Sequence, residues 1–193
     1  MKKLLSIATL LAALSGAASA APYVLPGNMP GNLTPYDIQP VYSVEGLYGI
    51  ADESAEMDTY GARLRLSLYS DGATDLRHQF SINLAGMWGS EDGADLFMMP
   101  VTAGYDLNME LSDSVMFYIS AKAGYCFGDL DVGGDSADAS GFTYSVGAGL
   151  KFQCSESIYL NVGYEFGRTY FDTSEVDDIY GQHIISVGIG CQF

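Results

Sequence analysis

The chain has 193 residues, and 8 Lys/Arg against 24 Asp/Glu give a formal net charge of −16 at pH 7. So few cations cannot coat a phosphate backbone, which argues for no nucleic acid partner. A hydrophobic content of 48%, with 12% aromatics, excludes intrinsic disorder. The 23 Gly and 14 Tyr, both poor helix formers, speak against a helical bundle.

Lys2 and Lys3 precede an apolar run from Leu4 to Leu14 that ends in Ala18-Ser19-Ala20. A basic start, a short apolar core and a small-x-small ending predict a signal peptide over 1–20, cut after Ala20. The run is short for a membrane span. Pro22, Pro26, Pro30, Pro35 and Pro40 then fall within 21–40, which reads as an extended, unpaired periplasmic leader.

From Val41 onward the pattern has period two. The apolar sets, in chain order, run Tyr42 to Ile50, Tyr60 to Leu68, Phe80 to Trp88 and Phe97 to Leu107. They continue Phe117 to Phe127, Phe142 to Phe152, Ile158 to Phe166 and Ile185 to Phe193, and none contains a charge. The intervening positions are polar or small. A soluble barrel would show the same alternation, but it would need a charged exterior that the few remaining Lys/Arg cannot supply. Aromatics also bracket the strands: Tyr48, Tyr60, Trp88, Phe97, Tyr125, Phe142 and Phe166 lie toward one end, and Tyr42, Phe117, Phe152 and Phe193 toward the other. Paired interfacial girdles require this arrangement. Strands of about 10–12 residues, rising ~3.3 Å each and tilted, cross roughly 25–30 Å of hydrocarbon. Backbone polar groups in lipid must all pair, so the strands must close. The expected fold is all-β: an eight-stranded antiparallel up-and-down transmembrane β-barrel over 41–193.

The connections alternate. Those near Ser70–Asp75, Asn108–Ser114 and Gln153–Ser157 are short. Those near Ala51–Asp58, Gly89–Asp95, Gly128–Ser140 and Phe171–Tyr180 hold 15 of the 24 acids and no Lys or Arg. Short periplasmic turns and longer external loops place both termini in the periplasm. Asp129-Leu130-Asp131-Val132-Gly133 resembles the start of a calcium loop, but Gly133 stands where a side-chain ligand belongs and Ser140 where the closing Glu belongs. No metal site and no cofactor are expected.

By parity Glu45, Arg63, Arg65, Lys122, Lys151 and Glu165 point into the lumen. Ions in so narrow a space must pair, so a belt of ion pairs is expected, with lumenal glycines making room. The functional alternative is a selectivity filter. Cys126, Cys154 and Cys191 have no metal-ligand spacing; a bridge between Cys154 and Cys191 is one possibility and Cys126 is expected free. His183 near the external end of the last strand is the one candidate base beside a serine nucleophile, and no local motif supports it. His78 is the other histidine.

Pro100-Val101-Thr102-Ala103-Gly104-Tyr105, Phe117-Tyr118-Ile119-Ser120-Ala121-Lys122-Ala123-Gly124-Tyr125 and Ser145-Val146-Gly147-Ala148-Gly149-Leu150 together resemble the small outer-membrane β-barrel family of the OmpA/OmpX type. The last strand, with Ile189, Cys191 and a terminal Phe193, is similar to the signal that the barrel-assembly machinery reads in that family. Lys122 departs from the family pattern, which has a small residue there. The resemblance implies an outer-membrane location, contact with outer-membrane lipid and lipopolysaccharide, and an unidentified extracellular partner. It does not transfer an activity. The reading is a non-enzymatic structural or surface-interaction protein. The alternatives are a narrow porin-like channel and a lipid A-modifying enzyme.

Overall fold

The computed structural model describes residues 38–52, 57–70, 76–91, 93–132, 135–172 and 177–192. The expected signal peptide, most of the leader and Phe193 lie outside them. Eight strands follow one another: β1 (Ile38–Ala51), β2 (Thr59–Ser70), β3 (Leu76–Glu91), β4 (Ala94–Ser112), β5 (Val115–Val132), β6 (Asp135–Gln153), β7 (Ile158–Asp172) and β8 (Asp177–Gln192). Each pairs antiparallel with its chain neighbours, and β8 closes on β1.

The register fixes the barrel's dimensions. Stepping across paired residues from Val41 passes through Ser67, Ser81, Gly104, Lys122, Ser145, Gly167 and Gln182, and returns to β1 at Ala51. The circuit is therefore displaced by ten residues along β1, from 41 to 51. Eight strands with that stagger tilt by about 40° and enclose a backbone cylinder of roughly 8 Å radius. That is room for side chains and little more.

Alternation then decides every face. Phe80 and Ile82 are 60% and 64% exposed, while Gln79, Ser81 and Asn83 between them are buried. The same holds around the ring: Val44, Leu66, Val146, Val162 and Val187 face outward, and Ser43, Arg65, Lys122, Asn161 and Ser186 face inward. The exterior is apolar and the polar groups are inside, the reverse of a water-soluble barrel.

Three acidic segments expected as loops are largely strand. Ser90 pairs with Asp95, Asp129 with Asp138, and Phe171 with Asp178, so the ladders continue past the aromatic positions. The β3–β4 connection closes tightly, with Gly93 at φ +85°, a conformation that suits glycine. The segment 108–114 is likewise strand to Ser112, and β1 begins at Ile38, inside the expected leader. The physical reason is that polar residues pair in a ladder as readily as apolar ones once their neighbours are aligned. Composition marked where water begins, not where pairing stops.

The interior is layered. Near the end that holds the start of β1 and the end of β8 (the terminal end), Val41, Tyr69 and Tyr159 cluster with Met116. Charged residues fill the middle. Toward the far end Leu47, Ala85, Met87, Met98, Cys126, Phe171 and Ile184 form an apolar cluster, with Leu96, Ala139 and Tyr180 against it. The expected ion pairs fill the middle of the lumen, and toward the far end side chains of the inner face add an apolar layer.

Candidate functional site: a charged interior belt

The inward positions of β1, β2, β5, β6 and β7 bring all six of the expected lumenal ions into one belt. Arg63 Nη1 donates to Glu165 Oε1 at 2.8 Å, and its Nε lies 3.2 Å from Glu45 Oε2. Lys122 Nζ donates to that same Glu165 oxygen at 2.5 Å, and Ser145 Oγ donates to the other at 3.3 Å. Arg65 Nη2 lies 3.4 Å from Glu45 Oε1, which also accepts from Asn161 Nδ2 at 3.2 Å. The contacts of Glu45 with Arg63 and Arg65 bring the charges close without hydrogen-bond alignment.

One member of the belt escaped sequence reading. Asp106 on β4 is fully buried, accepts from Arg65 Nη1 at 2.8 Å and lies 3.6 Å from Lys151 Nζ. Its signal was available, since it sits between the outward Tyr105 and Leu107. Lys151 completes its shell with Gln79 Oε1 and Asn108 Oδ1, each at 2.6 Å, and stands 4.8 Å from the centre of the Tyr118 ring. Four cations thus face three carboxylates in a desolvated space, each partnered by at least one opposite charge.

Glycine makes this packing possible. A Cβ on Gly188 would lie 2.5 Å from Glu45 Cγ, and one on Gly147 2.7 Å from Glu165 Cγ. Gly149 and Gly163 do the same for the buried Tyr118, whose hydroxyl presses toward both.

Two cavities flank the belt and share no lining residue. One of about 220 Å³ opens at the terminal end between Tyr69, Gln79, Lys151 and Tyr159. The other, about 50 Å³, touches Arg63, Lys122 and Glu165 on one side and Met87, Met98 and Cys126 on the other. Side chains of the belt stand between them.

Outside the belt the expected site residues separate. His183 faces outward; Nδ1 is 2.5 Å from the Tyr164 hydroxyl and the ring lies against Phe166, so its immediate partners are aromatic rings. His78 pairs in the same way with Tyr105 at 2.6 Å. Cys126 is buried, Cys154 is exposed in the β6–β7 turn, Cys191 is half-buried, and all three thiols are free. Ile189 and Cys191 stand on the outer face of β8; Phe193 lies outside the described residues. Asp129 and Asp131 lie on a ladder, where Ser136 Oγ donates to Asp129 Oδ1 at 3.0 Å, and not in a coordinating loop.

A sequence model described as the outer membrane protein beta-barrel domain matches residues 6–193. The chain belongs to that family. Membership assigns the barrel to the outer membrane, which accounts for its apolar exterior. No curated protein sequence matches the chain. Among solved structures, the chain is similar to Neisserial surface protein A (16% identity, TM-score 0.58), with 81% of this chain and 97% of that one covered. Ail, the attachment invasion locus protein of Yersinia pestis, gives 19% identity and a TM-score of 0.53, again over 81% and 97%. The outer membrane enzyme PagL gives 16% and 0.52 over 76% of this chain and 97% of its own. At these identities the likeness establishes the fold alone.

Proposed function

We propose that this outer-membrane barrel is a closed, non-enzymatic surface protein, anchored with its termini in the periplasm and presenting its acidic far end to the exterior. The observation that carries the reading is the filled interior: a paired ionic belt beneath an apolar layer, with two cavities on separate sides of the belt. The belt acts as an internal skeleton, replacing the apolar core that an inverted barrel lacks. Residues 1–20 serve as the export signal, 21–37 as a leader and the chain from β1 at Ile38 onward as the barrel. Ile189, Cys191 and Phe193 belong to the segment read by the assembly machinery, and lipopolysaccharide surrounds the external half.

Against an enzyme, His183 is occupied by Tyr164 and Phe166, with no serine hydroxyl among the described residues bonded to it. Against the mode seen in one complex of Ail, which holds the heparin analogue sucrose octasulfate, the far end here is acidic. A polyanion would be repelled; a cationic external partner fits better.

Planar-bilayer recording tests the filled interior. Refolded protein is expected to give no steady conductance; stable single-channel steps from the wild-type chain would favour the narrow pore. Orientation has a native reporter. Cys154 in the β6–β7 turn is expected to resist a membrane-impermeant maleimide in intact cells and to react after the envelope is opened. Labelling in intact cells would reverse the topology.

A further inference from the structure

Six cations lie among the described residues, and five have a carboxylate partner: four in the belt, and Arg77, which pairs with Glu110 at the terminal end. Arg168 is the sixth. It points outward from β7, toward the far end, and makes no ion pair with any described residue. Its guanidinium rests 5.3 Å from the centre of the Phe166 ring, and its Nε is buried without a hydrogen-bond partner. Across the β6 seam it pairs in register with Tyr144, whose ring stacks on Tyr170 at 6.2 Å. On its other side the register partner is Gly181, which has no side chain; the Asp52 carboxylate fills the space over that glycine but makes no ion pair with Arg168.

A cation on the lipid-facing surface is tolerated near an interface, where it costs about 0–1 kcal/mol, and not at the midplane, where it costs about 2–4 kcal/mol. In a chain of net charge −16, an outward arginine that makes no ion pair among the described residues is available to an external anion. Guanidinium chemistry favours phosphate, through paired N–H donors, and the neighbouring Tyr144 and Tyr170, whose hydroxyls hydrogen-bond to each other, leave one further O–H donor. We propose that Arg168, with Tyr144 and Tyr170, binds a phosphate monoester on an outer-leaflet lipid headgroup. This rests on the orientation proposed above.

The test uses the full barrel folded in detergent, with lipid retention read by native mass spectrometry against four probes. These are diphosphorylated lipid A, the same lipid A stripped of phosphate, phosphatidylglycerol and inorganic phosphate. Wild type is expected to hold diphosphorylated lipid A roughly tenfold or more tightly than R168Q, the loss expected for one charge-assisted hydrogen-bonding group. R168K should fall between them, and R77Q should match wild type. Both wild type and R168Q should hold the stripped lipid equally weakly. Heat-modifiable gel migration checks that every variant is folded. Equal retention by wild type and R168Q overturns the site, as does competition by inorganic phosphate at concentrations comparable with the lipid. A preference for phosphatidylglycerol would place Arg168 in the other leaflet and overturn the lipid assignment. If Cys154 labelling still supports the topology, that failure belongs to the site and not to the orientation.

Discussion

Lys122 Nζ lies 2.5 Å from Glu165 Oε1, and Arg63 Nη1 lies 2.8 Å from the same oxygen. One carboxylate on β7 therefore ties β5 and β2 together across the bore. Removing it leaves buried Lys122 without a carboxylate among the described residues and Arg63 with Glu45 alone. Glu165→Gln is expected to destabilise the barrel by about 3–5 kcal/mol, the cost of breaking a buried pair from one side. Urea unfolding followed by the fluorescence of the single tryptophan, Trp88, measures this; a loss below about 1 kcal/mol would mean that water already screens the belt.

Asp106 and Lys151 should respond unequally. Asp106→Asn removes a partner from both Arg65 and Lys151. Lys151→Met leaves Asp106 its hydrogen bond from Arg65 and relieves the excess of cations over carboxylates. The aspartate variant is therefore expected to be the less stable, and the double variant to lose less than the sum of the two. Unfolding midpoints of the three proteins in one detergent decide it.

Tyr118 and its facing glycines form a packing test independent of charge. Gly163→Ala would push a methyl into the Tyr118 hydroxyl and is expected to cost about 1–3 kcal/mol. Adding Tyr118→Phe should recover part of that loss. On its own, Tyr118→Phe should be nearly neutral, because the hydroxyl has no hydrogen-bond partner.

Strand count, pairing order and facing were legible because a period of two leaves two choices per strand, and the distribution of charge settles which. Glu45, Arg63 and Lys122 could be placed inside for that reason. Asp106 obeyed the same parity and was overlooked because it lies next to the expected 108–114 turn. The apolar layer was hidden for a different reason: Met87, Met98 and Ile184 alternate with outward residues that are themselves apolar, so local sequence carries no contrast there. Which carboxylate meets which cation depends on the ten-residue stagger, a property of closure that no single strand encodes.

The thiols give a simple accessibility scale. Cys154 is exposed and Cys126 is buried in the apolar layer. In folded, detergent-solubilised protein, Cys154 should react with a maleimide within minutes and Cys126 only after denaturation. With all three thiols free, gel mobility should not change on reduction. A mass lower by two hydrogens before reduction would show a bridge.

The inverted placement of apolar and polar groups is tested most directly by spin-label accessibility along the outer face. Single nitroxides at Val44, Leu66, Ile82, Val146 and Val162, one strand each, should all collide readily with oxygen dissolved in lipid and scarcely with a water-soluble nickel chelate. Efficient relaxation by the nickel chelate at these five positions would mean that water bathes the exterior, and would contradict the account.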